Sequence, residues 1–148
     1  MIERGDFLKP LILVIEYNSD IAFNLNLTLK FNNYEVITAS NWNDALILLS
    51  EYEKTPDLII SDIIIPGSNT LDFFDKISKN PRWRHIPYIF LTTRTSPEDI
   101  KFAEFLGAKK ILFKPFKEED LFNNIQKVLN NDKKSDFSLK FPENEGPP

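Results

Sequence analysis

At 148 residues, 42% apolar, 13% aromatic and 27% charged, the chain has the length and apolar content of one folded domain and too much Ile, Leu and Phe to be disordered. Its 18 Lys and Arg against 22 Asp and Glu leave a net charge of -4, so no overall positive field favours nucleic acid or an anionic membrane surface, and the absence of cysteine excludes disulfides, Cys-ligated zinc and thiol catalysis. The start, MIERGDFLKP, lacks the long apolar stretch of a signal peptide, and no apolar run approaches the roughly 18 residues a membrane span needs. The expectation is a soluble cytoplasmic protein with no direct contact to membrane or nucleic acid.

Five short apolar runs at 11–15, 34–38, 58–61, 88–92 and 111–113 alternate with segments of helical period at 20–31, 41–53, 70–79, 97–106 and 117–130. Short runs rich in Ile, Val, Leu and Phe, separated by helices, are the mark of parallel strands covered on both faces, so the pattern predicts an α/β fold with a doubly wound parallel sheet.

In chain order, residues 1–8 read as an N-terminal extension ahead of a folded part at 9–131. The first strand, in the stretch LILVIEYN, ends on Glu16 and Tyr17. In the second helix Trp42, Ala45, Leu46 and Leu49 recur at helical spacing and read as plain core packing against the sheet. The third strand, LIIS, runs into Asp62. Ahead of the fourth strand the lone His85 stands with Arg82, Trp83 and Arg84, and reads as a surface-loop residue among solvated charges. The fourth strand ends on the hydroxyls of Thr92 and Thr93. After it, SPED at 96–99 supplies a Ser N-cap, Pro in the first turn and an acid at the third position, and Gly107 supplies the C-cap. Lys109 and Lys110, just beyond, read as exposed. The fifth strand ends on Lys114, followed by Pro115, and residues 132–148 read as a polar, Pro-ended tail or linker.

Ligands of open parallel α/β sheets sit beyond the carboxyl ends of the strands. Here those ends offer Glu16, Asp62, Thr92 and Lys114. Two carboxylates can hold Mg²⁺, which takes one or two of them together with phosphate oxygens and waters, while a lysine and a hydroxyl can bind the oxygens of a phosphoryl group. No GxxxxGK or GxGxxG run points instead to a nucleotide-binding enzyme.

The segments PDLIISDIIIPG (56–67), HIPYIFLTT (85–93) and LGAKKILFKPF (106–116) resemble the response-regulator receiver domain of two-component signalling, the chemotaxis-regulator-like family. The resemblance spans roughly 9–131 and implies a flavodoxin-like sheet of five parallel strands in the order 2-1-3-4-5 with helices on both faces. It implies further that Asp62 is the phosphoacceptor, served by a histidine kinase or phosphotransfer protein. Thr92 takes the place of the hydroxyl that approaches the phosphate, and Lys114 that of its ion-pair partner. Glu16 falls on the first of an acidic pair that binds the metal with Asp62, and Ile64 would offer its backbone carbonyl. Such a domain is a phosphoacceptor switch rather than an enzyme. It alters its binding to a downstream protein through the face around the fourth helix, fifth strand and fifth helix; the sequence does not name that protein and leaves a homodimer open.

Three positions depart from the family's pattern. Tyr17 stands where a second metal-binding aspartate is expected, and a phenol, neutral near pH 7, cannot replace it, so Mg²⁺ binding is expected to be weak. Ile111 replaces a switching aromatic three residues before the lysine, and Thr70 replaces a frequent glycine in what reads as a minor loop difference. Tyr17 and Ile111 keep open the alternative of a pseudo-receiver, a protein-interaction module that works without phosphorylation.

Overall fold

The computed structural model describes residues 9–63, 65 and 69–130. Five strands, β1 (Leu11–Ile15), β2 (Glu35–Ala39), β3 (Leu58–Ser61), β4 (Tyr88–Thr92) and β5 (Lys110–Phe113), alternate with five helices, α1 (Ser19–Phe31), α2 (Trp42–Glu51), α3 (Thr70–Lys79), α4 (Pro97–Leu106) and α5 (Glu118–Asn130). All strand pairs are parallel and the sheet order is β2-β1-β3-β4-β5, as the sequence led one to expect, with β2 and β5 at the edges. The extension at 1–8 and the tail at 132–148 lie outside the described residues.

Every residue of β1 is buried, because this inner strand is flanked by β2 and β3 and covered on both faces. Alternate side chains feed two separate cores. Leu13, Ile15, Ile59 and Phe90 point into a cluster closed by α2, α3 and α4, while Ile12, Val14, Ile60 and Leu91 point into one closed by α1 and α5. The first cluster is the aromatic one. Trp42 stacks on Phe73 with centroids 4.6 Å apart, Phe74 meets Phe73 edge-on at 4.9 Å, and Tyr88 leans on Phe74 at 4.5 Å. The stripe read from α2 is in place: Trp42, Ala45 and Leu49 are buried and Leu46 is packed against them.

Capping fixes the helix ends close to where the sequence put them. The Ser96 hydroxyl accepts from the Asp99 amide, and Gly107 adopts φ +91°, a left-handed conformation that costs a residue with a Cβ far more than glycine. Asn18, Asn41 and Asn69 cap α1, α2 and α3 through their side-chain oxygens. Strand β2 starts one residue later than expected because the Tyr34 amide is drawn back to the Leu29 carbonyl at the end of α1, leaving Glu35 to bond Pro10 and open the ladder. Strand β5 starts one residue earlier, since the Lys109 amide already reaches the Tyr88 carbonyl. Lys109 and Lys110 are accordingly half-buried rather than exposed. Among the described residues no helix is long and apolar enough to cross a membrane.

Candidate functional site

The carboxyl ends of β1, β3 and β5 converge on one cation. Lys114 Nζ lies 3.5 Å from Glu16 Oε1 and 3.6 Å from Asp62 Oδ2. Both are ion-pair separations, longer than the 2.7–2.9 Å or so of a tight charge-assisted hydrogen bond. The side chains are largely withdrawn from water, with 18% of the lysine, 9% of the glutamate and 22% of the aspartate accessible. Field screening is therefore weaker than at an open surface.

Each group is delivered by its strand. Glu16 is still on the ladder, its amide bonded to Ala39, and its second oxygen accepts from the Asn18 amide at 3.1 Å, which links it to the cap of α1. Asp62 follows β3 directly, and its Oδ1 accepts from the Ile63 amide at 2.6 Å. Lys114 follows β5. Its amide donates to the Thr92 carbonyl at 2.8 Å, and a cis peptide bond joins it to Pro115. Thr92 is fully buried at the end of β4, and its Oγ1 accepts from the Arg94 amide at 3.0 Å, which leaves the hydroxyl's own proton free to be donated elsewhere. Glu16, Asp62 and Lys114 thus meet through their side chains, and Thr92 joins them through the ladder. Ile64 lies outside the described residues.

Tyr17, one residue past Glu16, is 61% exposed and adds no charge to the cluster. Among the described residues no group of three or more His, Asp or Glu side chains is arranged to hold a metal ion. Glu16 and Asp62 alone still meet the one or two carboxylates that Mg²⁺ takes when phosphate oxygens and waters complete its shell. The donor set fits the ion, with one negative charge fewer than a three-acid pocket. Beside Glu16 a shallow cleft of about 460 Å³ opens between the ends of β1 and β2 and the start of α2, lined in part by Ser40, Asp44 and Ile47.

The remaining polar residues singled out in the sequence lie elsewhere. His85 and Arg82 border a cleft with Pro10, Asp57 and Pro87, which precede β1, β3 and β4, so the basic cluster sits at the end of the sheet opposite Asp62. Ile111 is half-buried against the aromatic core. Sequence reading missed Thr70. Its hydroxyl is buried, donates to the Ile63 carbonyl at 3.0 Å and accepts from the Trp42 indole at 3.2 Å. The available signal was the tryptophan itself: an indole on the core face of a helix needs an acceptor, and a threonine at a loop-to-helix junction can be one.

The family model of the response regulator receiver domain matches residues 12–126. The protein PilH of Pseudomonas aeruginosa is 30% identical over 118 residues, covering 80% of this chain and 96% of PilH. The phosphate regulon transcriptional regulatory protein PhoB of Klebsiella pneumoniae is 30% identical over the same length, and there the chain spans about half of the relative, 51%. Among solved structures, the chemotaxis response regulator CheY4 of Vibrio cholerae superposes with a TM-score of 0.72 at 30% identity, covering 81% of this chain and 98% of CheY4.

Proposed function

The chain belongs to the response regulator receiver domain family, and from that premise we propose that Asp62 accepts a phosphoryl group from a histidine kinase or phosphotransfer protein in the cytoplasm. The observation that supports this reading best is the lysine shared by two carboxylates, Lys114 at 3.6 Å from Asp62 and 3.5 Å from Glu16. An Asp62 oxygen forms a bond to phosphorus while the donor's own bond to phosphorus breaks, and the donor leaves. Lys114 then pairs with the arriving phosphoryl oxygens, and the Thr92 hydroxyl, already accepting from Arg94, donates its proton toward them. Receiver domains generally bind Mg²⁺ at an acidic pocket; here Glu16 and Asp62 would hold it, with the Ile64 carbonyl, and the ion when bound neutralises charge on the transferred group.

Phosphorylation adds a charge of about -1.5 to -2 beside Lys114 and so biases any element with two arrangements nearby. The domain works as a signalling acceptor that alters partner binding rather than as an enzyme. Incubation with Mg²⁺ and acetyl phosphate tests the reading: intact mass rises by one phosphoryl group in the wild type and not in Asp62→Asn. Failure of the wild type to gain mass at millimolar Mg²⁺, with partner binding unchanged in Asp62→Asn, supports the second reading, a phosphorylation-independent interaction module. The exposed Tyr17 in place of a ligand is the observation that favours it.

A further inference from the structure

One residue next to the acceptor is held at both ends of its backbone. The Ile63 amide donates to Asp62 Oδ1 at 2.6 Å, and the Ile63 carbonyl accepts from the Thr70 hydroxyl at 3.0 Å. The Thr70 oxygen in turn accepts from the Trp42 indole nitrogen at 3.2 Å. Three hydrogen bonds and the Ile63 backbone thus link the first residue of α2 to the Asp62 carboxylate. The link runs through buried ground: Trp42 is 2%, Thr70 7% and Ile63 0% exposed. A hydroxyl has one proton, and here it is spent on Ile63 while one lone pair serves Trp42, so Thr70 acts as donor and acceptor at once. Trp42 itself is fixed by its stack on Phe73 and its edge contact with Phe74, both on α3.

We propose that Thr70 is a positioning residue for the phosphoacceptor, its hydroxyl tying the Asp62 turn to Trp42 so that the state of Asp62 is felt at the start of α2. This inference rests on the reading of Asp62 as phosphoacceptor for its consequence in signalling, though the hydrogen-bonded chain itself does not. The physical step lies in the acceptor strength of Asp62 Oδ1. In the carboxylate it carries charge and forms a charge-assisted bond with the Ile63 amide. When phosphorus bonds to Oδ2, on the lysine side, and the donor's acetate departs, Oδ1 becomes a neutral acyl oxygen and that bond weakens. The Ile63 N–H and C=O lie on adjacent peptide groups that share the Ile63 Cα, so a relaxed N–H bond shifts the Ile63 backbone and with it the carbonyl that Thr70 and, behind it, Trp42 are bonded to. Coupling of this kind is reciprocal at equilibrium, so an altered Thr70 or Trp42 changes the stability of the Asp62 phosphoryl bond, and because the Ile63 amide orients Asp62 Oδ1 the same alteration also misplaces the attacking carboxylate. The route leaves by α2 and so makes no use of the aromatic that Ile111 replaces.

The test uses the full chain and three variants at position 70, read by the indole N–H resonance of Trp42 in ¹⁵N-labelled protein and by the rate of mass gain from acetyl phosphate with Mg²⁺. Thr70→Val keeps the shape and removes the hydroxyl; Thr70→Ser keeps the hydroxyl; Thr70→Gly opens the position. The expected result is a shifted, faster-exchanging Trp42 indole proton in Thr70→Val and Thr70→Gly. The saturating phosphorylation rate falls on the order of tenfold while the half-saturating donor concentration stays put, and Thr70→Ser restores both readouts. A Trp42 resonance that does not respond to Thr70→Val, or a Thr70→Val rate equal to wild type, overturns the inference. Should the wild type take no phosphoryl group, that result counts against the acceptor reading alone, and Asp62→Asn then decides the relay: the Trp42 indole resonance moves if the chain is intact, and an unmoved resonance ends the proposal.

Discussion

Lys114 and Glu16, 98 residues apart in the chain, place an ammonium 3.5 Å from a carboxylate at the carboxyl edge of the sheet. The same ammonium lies 3.6 Å from Asp62, so one positive charge is shared between two carboxylates. Removing it leaves two partly buried carboxylates facing each other and takes away the cation available to a phosphoryl group. Lys114→Met is expected to slow phosphorylation of Asp62 by about 10²-fold, the scale on which a single preorganised donor contributes. The time course of mass gain with acetyl phosphate checks this, and a rate within twofold of wild type would remove Lys114 from the site.

Tyr17 offers the complementary gain. It stands beside Glu16 at the end of β1 and is exposed, so a shorter acidic side chain can be introduced there without disturbing the core. Tyr17→Asp adds a third carboxylate next to Glu16 and Asp62. Mg²⁺ affinity is expected to rise about tenfold, roughly 1.4 kcal/mol. Calorimetric titration with MgCl₂ measures it, and equal or weaker binding means that position 17 does not face the ion.

The aromatic cluster between the sheet and α3 sets the stability of the face beneath the site. Phe73 is 1% exposed and touches both Trp42 and Phe74. Phe73→Ala removes a buried ring and leaves a cavity, and should cost about 3–5 kcal/mol in a denaturant melt. Because Trp42 stacks on that ring, its indole environment should change as well. A loss under about 1 kcal/mol would show that the cluster collapses to fill the space.

Alkaline stability should depend on Tyr88. Burial pushes its phenol up to about 12, and its hydroxyl donates to the Leu106 carbonyl at the end of α4. The unfolded chain releases this proton near pH 10, so between about 10 and 12 the native state holds more protons than the unfolded one. Stability from this group is complete below pH 10 and is lost as pH rises through 12. Tyr34, also raised by burial, contributes in the same direction. Chemical melts at pH 9 to 12 should therefore decline more steeply for wild type than for Tyr88→Phe; parallel slopes would mean that Tyr88 ionises while folded.

The strands were legible because a parallel strand covered on both faces cannot alternate: LILVI is apolar throughout and LIIS up to its last residue, Ser61. The cap of α4 was legible for a different reason: Ser96, Pro97 and Gly107 each suit one backbone position and few others. The site was legible as four strand ends, since topology alone brings such ends to one edge, although the lysine's equal approach to Glu16 and Asp62 depends on side-chain geometry that no spacing encodes. Thr70 was read as a loop variation. Its partners, Trp42 and Ile63, lie on other segments, and a hydroxyl's choice between solvent and a buried carbonyl becomes visible only when α2 and α3 are packed. The one-residue shift at the start of β2 has the same origin, a tertiary competition for the Tyr34 amide.

Strand β5 closes one side of the sheet with only four residues, Lys110–Phe113. A lysine opens it, another follows it, and Pro115 next in line has no amide to offer an incoming chain. A rim so short, with no amide at Pro115, is a poor template for strand addition, so along the β5 side an added strand would find few backbone partners.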